Sequence, residues 1–301
     1  MSLSDLKRRI GTVKNTSKIT KAMSLISAAQ VSKLKNKLQL YEEYYKLIGE
    51  TTASIAFKAR SRFDTDTQKI AIDEQLVIES CQKYLGLEKN YIIGKRKLLI
   101  VITGEKGLCG SFNSSVVSKV LSIVDDNTDL LSIGKKGYDM LMRNRKKPVN
   151  IIEDNYIELN AKKIGPKIIM EKITLQLLRL LAYKDYSEVK IVYTAFISML
   201  RQEVKIKRLF PLILDNCDSR EMTFDSNPMI MLDNIIPHYI NAEIYFTTLH
   251  SIKSETVKRM MTMDNANKNS KEMLNNLTLQ YNRTRQTKVT MELIEVISGM
   301  V

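Results

Sequence analysis

Tryptophan is absent from the 301 residues, and the chain has only three cysteines, two histidines, five prolines and eleven glycines. Cys81, Cys109 and Cys217 are odd in number and far apart. That excludes a disulfide scaffold and fits a reducing compartment. His238 and His250 stand without neighbouring cysteines or an acid cluster, which argues against a metal site or a histidine-based triad. No run approaches the length of apolar chain that a bilayer requires, so no membrane span is expected. The opening MSLSDLKRRIGTVKNTSK has neither an apolar core nor a cleavage motif, so no secretory signal is expected either.

What is abundant is positive charge. Lysine and arginine number 47 against 33 acids, a net charge of +14. This excess implies an acidic partner, and nucleic acid, an anionic membrane or an acidic protein surface would each serve. The basic residues are dispersed rather than gathered in one block, which weakens the nucleic-acid option. An apolar share of 44% with 27% charged residues is that of a globular chain with a core.

Glycine and proline punctuate the chain unevenly. All five prolines, Pro148, Pro166, Pro211, Pro228 and Pro237, lie in the middle. Neither residue occurs from Thr12 to Ile48, or from His238 to Ser298. The pattern predicts a long helix, a mixed middle and a second long helix. The first runs from about Ser4 to Arg60, with Ser4–Asp5 as its start. Leu3, Leu6, Ile10 and Val13, then Ile19, Met23, Ile26, Leu34, Leu38, Tyr41, Tyr45 and Ile48, step by three or four, apart from the eight-residue interval Ile26–Leu34, like a coiled-coil seam. The polar stretch Lys14–Lys18 is read as a break in its register. The last helix is expected from near Asp233, with Pro237 in its first turn. Its seam, from Leu249 through Met260, Met263, Leu274, Leu277 and Tyr281 to Met291, Ile294 and Ile297, has polar gaps at 264–271 and 282–288.

At about 1.5 Å per residue these helices would be about 80 and 95 Å long. A compact domain of this size has a radius of gyration of about 19 Å. The helices are therefore expected to protrude as an antiparallel pair of the two chain ends. Such a pair cannot bury its apolar stripe unaided, so a surrounding partner is implied.

The middle reads as α/β. KLLIVIT (97–103), DLLSI (129–133), VNIIED, VKIVYTAFIS (189–198) and VKIKRLFPLIL (204–214) read as strands. Helices are expected at about 113–124, in GYDMLMRNR and in GPKIIMEKITLQLLRLLAYKD. Their alternation suggests a small, mostly parallel, Rossmann-like sheet.

The one glycine-rich loop is TGEKGLCGSFN (103–113). It lacks the Gly-Lys-Ser/Thr of a phosphate loop, and the spacing of Gly104, Gly107 and Gly110 is not that of a dinucleotide fingerprint. It reads as a structural turn from strand to helix. Cys109 sits near that helix start without a positioned base and reads as a packing residue. No cofactor, metal site or catalytic residue is expected.

Three stretches carry a resemblance. NTSKITKAMSLISAAQVSKLK (15–35), TGEKGLCGSFN and LQYNRTRQTKVTMELIEVISGM (279–300) resemble, in that order, signatures of the gamma subunits of F-type ATP synthases. They cover about a fifth of the chain. The resemblance implies a non-catalytic rotor shaft. Its paired terminal helices would stand inside a ring of three alpha and three beta subunits. Its α/β foot would touch the epsilon subunit and the membrane ring of c subunits, with no nucleic acid and no small-molecule substrate of its own. Lys21 and Met23 would then lie near beta-subunit loops. Arg285 and Gln286 match a pair that hydrogen-bonds a catch loop of a beta subunit, and Thr290, Glu292 and Glu295 follow the same pattern. Interrupted seams suit a bearing, and a basic shaft suits the acidic loops of that family.

The resemblance divides the chain into an N-terminal shaft helix (1–60), a family-atypical insert or linker (61–95), an α/β foot (96–232) and a C-terminal shaft helix (233–301). The segment 61–95, with a helix read at 73–87, is longer than in most bacterial members, and 215–232 has no clear family motif. The expected location is the cytoplasmic face of a bacterial inner membrane, as a peripheral protein, in preference to an organelle inner membrane. The competing function is a coiled-coil nucleic-acid-binding or scaffold protein, which has no recognisable module to support it.

Overall fold

A computed structural model describes residues 2–65, 96–144, 150–152, 173–175, 177–179, 186–212 and 227–299. The helix expected at 73–87, Cys81, Cys217 and most of the helix expected at 165–185 lie outside them. Two compact units emerge: Met1–Val31 with Leu108–Gly110 and Thr256–Val301, and Ser32–Gly107 with Ser111–Glu255.

Helix α1 spans Leu3–Thr65. It begins earlier than Ser4 because Ser2 caps it. The Ser2 Oγ accepts the Asp5 N–H at 3.1 Å and donates to the Asp5 carboxylate at 2.8 Å. The C-terminal helix starts at Pro228, five residues before the expected Asp233, and runs to Ser298. Asn227 supplies the cap, its Oδ1 accepting the Met229 N–H at 3.1 Å. Pro228 takes the first helical position, where a missing N–H costs nothing. Pro237 lies inside the helix rather than in its first turn.

Between the helices are β1 (Arg96–Ile102), α2 (Phe112–Leu121), β2 (Thr128–Ile133), α3 (Lys135–Arg143), β3 (Asn150–Ile152), β4 (Tyr186–Phe196) and β5 (Gln202–Phe210). The C-terminal helix is α4. The sheet order is β3-β2-β1-β4-β5. The first four strands are parallel, and β5 returns antiparallel to β4. Alternation along β1 divides the core. Leu98, Ile100 and Ile102 face Ile55, Ala56 and Ala59 of α1 and Leu232, Ile236, Ile240 and Ile244 of α4. Leu99 and Val101 face Val116, Val117 and Val120 of α2 and Leu141 of α3. Burial on both faces is why these strands read as continuous apolar runs.

Two polar clusters sit in this unit. Buried Asp129 accepts from the Arg96 guanidinium and, at 2.9 Å, from the Tyr186 hydroxyl, joining the starts of β1 and β4 to β2. Glu243 of α4, 1% exposed, pairs with Lys207 of β5 at 2.8 Å and accepts the Tyr45 hydroxyl of α1 at 3.1 Å. The Tyr45 ring stacks on Phe246, with centroids 3.9 Å apart. Burial and the Glu243 charge push the Tyr45 hydroxyl well above its ordinary range, so it stays a donor.

Candidate functional site

The terminal stretches of the two long helices carry the expected contact residues. On α1, burial recurs at Leu6, Thr20, Ser27 and Val31, with Ile10, Val13, Ser17 and Ser24 half-buried between them. These positions alternate steps of four and three without interruption. The expected register break at Lys14–Lys18 is absent, and the expected seam residues Ile19 and Ile26 point outward, 60% and 59% exposed. The cause is geometric. Stepping on from Leu6, Ile10 and Val13 lands on Ser17 and Thr20, whatever their polarity.

The facing stretch of α4 behaves alike. Met263, Asn267 and Leu277 are buried, with Met260, Ser270, Leu274, Tyr281 and Thr284 half-buried. The two stretches meet through Ser17, whose Oγ donates to Asn267 Oδ1 at 2.8 Å. A polar gap in the sequence is thus a hydrogen-bonded layer of the seam. Polar seam positions fix register at some expense of stability.

Past Thr284 the partnering stops, and every described residue from Arg285 to Gly299 is exposed. Val289, Met291, Leu293, Ile294, Val296 and Ile297 are between 48% and 65% exposed. At about 100° per residue they cover about 220° of the helix circumference. The remaining arc carries Arg285, Lys288, Glu292 and Glu295. Lys288 reaches Glu292 at 3.5 Å. Thr287 and Thr290 turn their hydroxyls back onto the carbonyls of Arg283 and Gln286, at 3.1 and 2.9 Å. The side chains of Arg285, Gln286 and Glu295 make no hydrogen bond or ion pair among the described residues.

The structure brings some of the expected residues together and separates others. Arg285, Glu292 and Glu295 share the charged stripe. Gln286 and Thr290 lie on another face, since neighbours in a helix point about 100° apart. Lys21 is exposed and Met23 half-buried on α1. Counting from the Ser17–Asn267 pair, Met23 stands across from about residue 261, roughly 36 Å along the helix from Arg285. The expected contact residues therefore form two spots, not one.

In the glycine-rich loop, the Gly104 N–H donates to Asn113 Oδ1 at 2.8 Å. A Cβ on Gly104 would lie 2.8 Å from Glu255 Oε1. Gly110 has φ +59° and its Cβ would lie 3.0 Å from Thr262 Oγ1. A Cβ on Gly107 would meet nothing within 4 Å. Cys109 is buried.

Sequence reasoning missed the polar seam layer and the strand-end contacts of His250, Ser251, Ser254 and Glu255. Small polar residues repeated in the middle of a long helix were the only available sign.

A family model described as ATP synthase matches residues 2–301. The ATP synthase gamma chain of Clostridium novyi (strain NT) is 32% identical, over 98% of this chain and 95% of that one. That of Rickettsia bellii (strain RML369-C) is also 32% identical, over 99% and 98%. The chain belongs to the ATP synthase gamma-chain family. The fold agrees with gamma-chain membership. A cryo-EM structure of the Tetrahymena thermophila mitochondrial ATP synthase central stalk and c-ring contains a chain with TM-score 0.54 and 22% identity, covering 82% of this chain and 99% of that one. A chain of the Euglena gracilis mitochondrial ATP synthase matches with TM-score 0.55 and 18% identity, covering 91% and 94%.

Proposed function

We propose that the chain is the rotor shaft of an F-type ATP synthase, coupling proton-driven rotation of a membrane ring to sequential conformational changes in three catalytic beta subunits. The match to the gamma-chain family over residues 2–301 carries this reading. The chain itself is a non-catalytic subunit. Its partners are the alpha and beta subunits in a 3:3 ring, the epsilon subunit and the ring of c subunits.

The bare stretch after Thr284 supports an enclosing partner. An apolar arc of that width leaves a continuous exposed surface, which marks an interaction site rather than a solvated helix. The ring would surround this stretch. Arg285 and Gln286 would hydrogen-bond a beta-subunit loop, with Thr290, Glu292 and Glu295 contributing. Lys21 and Met23 would meet beta-subunit loops at the second spot. Gly104, Gly107 and Gly110 would serve as a structural turn without nucleotide. The shaft would comprise 1–60 and 233–301, and the foot 96–232. The complex is membrane-associated, and no described helix is long and apolar enough to cross a membrane. The cytoplasmic face of a bacterial inner membrane is the proposed location.

The test is to purify tagged chain from membranes under mild detergent. One copy per 3:3 ring with ATPase activity is expected. Recovery of the chain alone, or with nucleic acid, would overturn the reading.

A further inference from the structure

β4 outlasts its parallel neighbour. The register with β1 ends at Val101 and Val192, whereas β4 continues to Phe196. Alternate residues of a strand present their backbone groups to the same side. Thr194 and Phe196 therefore face the side on which β1 has ended. Side chains of α4 take its place. The Thr194 N–H donates to Ser251 Oγ at 3.1 Å, and Ser254 Oγ donates to the Thr194 carbonyl at 3.2 Å. The Phe196 N–H donates to His250 Nδ1 at 3.3 Å. Ser251 and Ser254 are fully buried.

The location is informative. In a sheet ordered β3-β2-β1-β4, the carboxyl ends of β1 and β4 flank the crevice in which open α/β sheets bind ligands. Here the chain's own helix lies in that crevice, with Glu255 against Gly104 on the β1 side. Apolar packing by Leu232, Ile236, Ile240 and Ile244 is non-directional and tolerates small rotations. Hydrogen bonds to a strand backbone do not. A one-residue slip moves a helix by about 1.5 Å and turns it by about 100°, which would break all three.

We propose that His250, Ser251 and Ser254 form a keyed joint that fixes the register of α4 on the sheet, and that torque between sheet and helix passes through it. These are positioning residues, and the proposal rests on the rotor-shaft reading. Removing both hydroxyls leaves the apolar core in place but strips the Thr194 N–H and carbonyl of their partners. The joint then slips under load.

The experiment uses the assembled complex in sealed vesicles, carrying Ser251→Ala with Ser254→Ala, and measures ATP hydrolysis and ATP-driven proton pumping. Hydrolysis is expected to persist while protons pumped per ATP fall by about half or more, because only the directional contacts are lost. Val117→Ala, in α2 on the other face of the sheet, should lower thermal stability without changing that ratio. An unchanged ratio in the double variant, or an equal fall in Val117→Ala, would overturn the joint. Should the double variant not assemble, Ser254→Ala alone keeps both N–H groups paired and is read by the same ratio. Failure of the unsubstituted chain to couple hydrolysis to pumping would instead sink the rotor-shaft reading.

Discussion

The two long helices are chemically different at their two ends. In the unit containing the sheet, α4 presents Leu232, Ile236, Ile240 and Ile244 to a closed core, and buried Glu243 is held by Lys207 and Tyr45. In the other unit the same three-and-four stepping passes through Ser17, Thr20 and Asn267 and then ends, leaving residues 285–299 bare. One stretch is completed by its own chain, and the other is left exposed. A helix spaced for a seam throughout can thus be anchored where the seam is apolar and serve as a bearing where it is polar or absent.

Substitutions at matched positions test this contrast. Ile240→Ala removes a fully buried side chain from the main core and should lower the unfolding free energy by about 2–5 kcal/mol in a denaturant titration. Glu243→Gln keeps the shape but removes the charge shared with Lys207 and Tyr45. It should cost about 1–3 kcal/mol, read from the same titration, and it should cost less when Lys207 is also replaced.

A smaller effect belongs to His250. Burial, followed by the Lys253 charge, holds its ring down at about 4, below the ordinary 6.5. Between those values the unfolded ring binds a proton that the folded ring does not. Its contribution is therefore full above pH 6.5 and is lost as the pH falls towards 4. After allowance for its partly exposed ring, the loss should be about 1 kcal/mol. Melting temperatures across this window should fall less steeply in His250→Gln.

The smallest effect should come from the bare stretch. Ile294→Ala should change the stability of the isolated chain by less than about 0.5 kcal/mol, because the side chain is already in water. The same substitution should weaken assembly of the complex. A loss of stability as large as that of Ile240→Ala would abolish the contrast.

Much of the architecture could be read from the sequence. Sparse glycine and proline located both helices, and LLIVI and DLLSI marked the central strands because both faces of the sheet are covered. The sequence leaves the start of α4 ambiguous because Pro237 is also compatible with a first turn, and only the Asn227 cap distinguishes Pro228. Apolarity alone puts Ile19 and Ile26 in the seam, whereas the helix spacing selects Ser17, Thr20 and Ser27. At the expected contact residues the sequence names side chains but not their directions. Arg285 and Gln286 are adjacent in sequence and diverge on the helix. Nothing in the sequence marks Ser251 and Ser254, because their contacts with Thr194 depend on where β1 ends, more than a hundred residues away.

On the proposed reading, Arg285 and Gln286 act on a partner and their side chains contribute nothing to the chain's own fold. The direct measurement is ATP hydrolysis and proton pumping by purified complex carrying Arg285→Ala or Gln286→Leu. A hydrogen bond to a charged group contributes about 1.5–3 kcal/mol, so its loss at the rate-limiting rotary step should slow turnover roughly tenfold to a hundredfold, with assembly intact. Normal turnover and coupling in both variants would contradict the account.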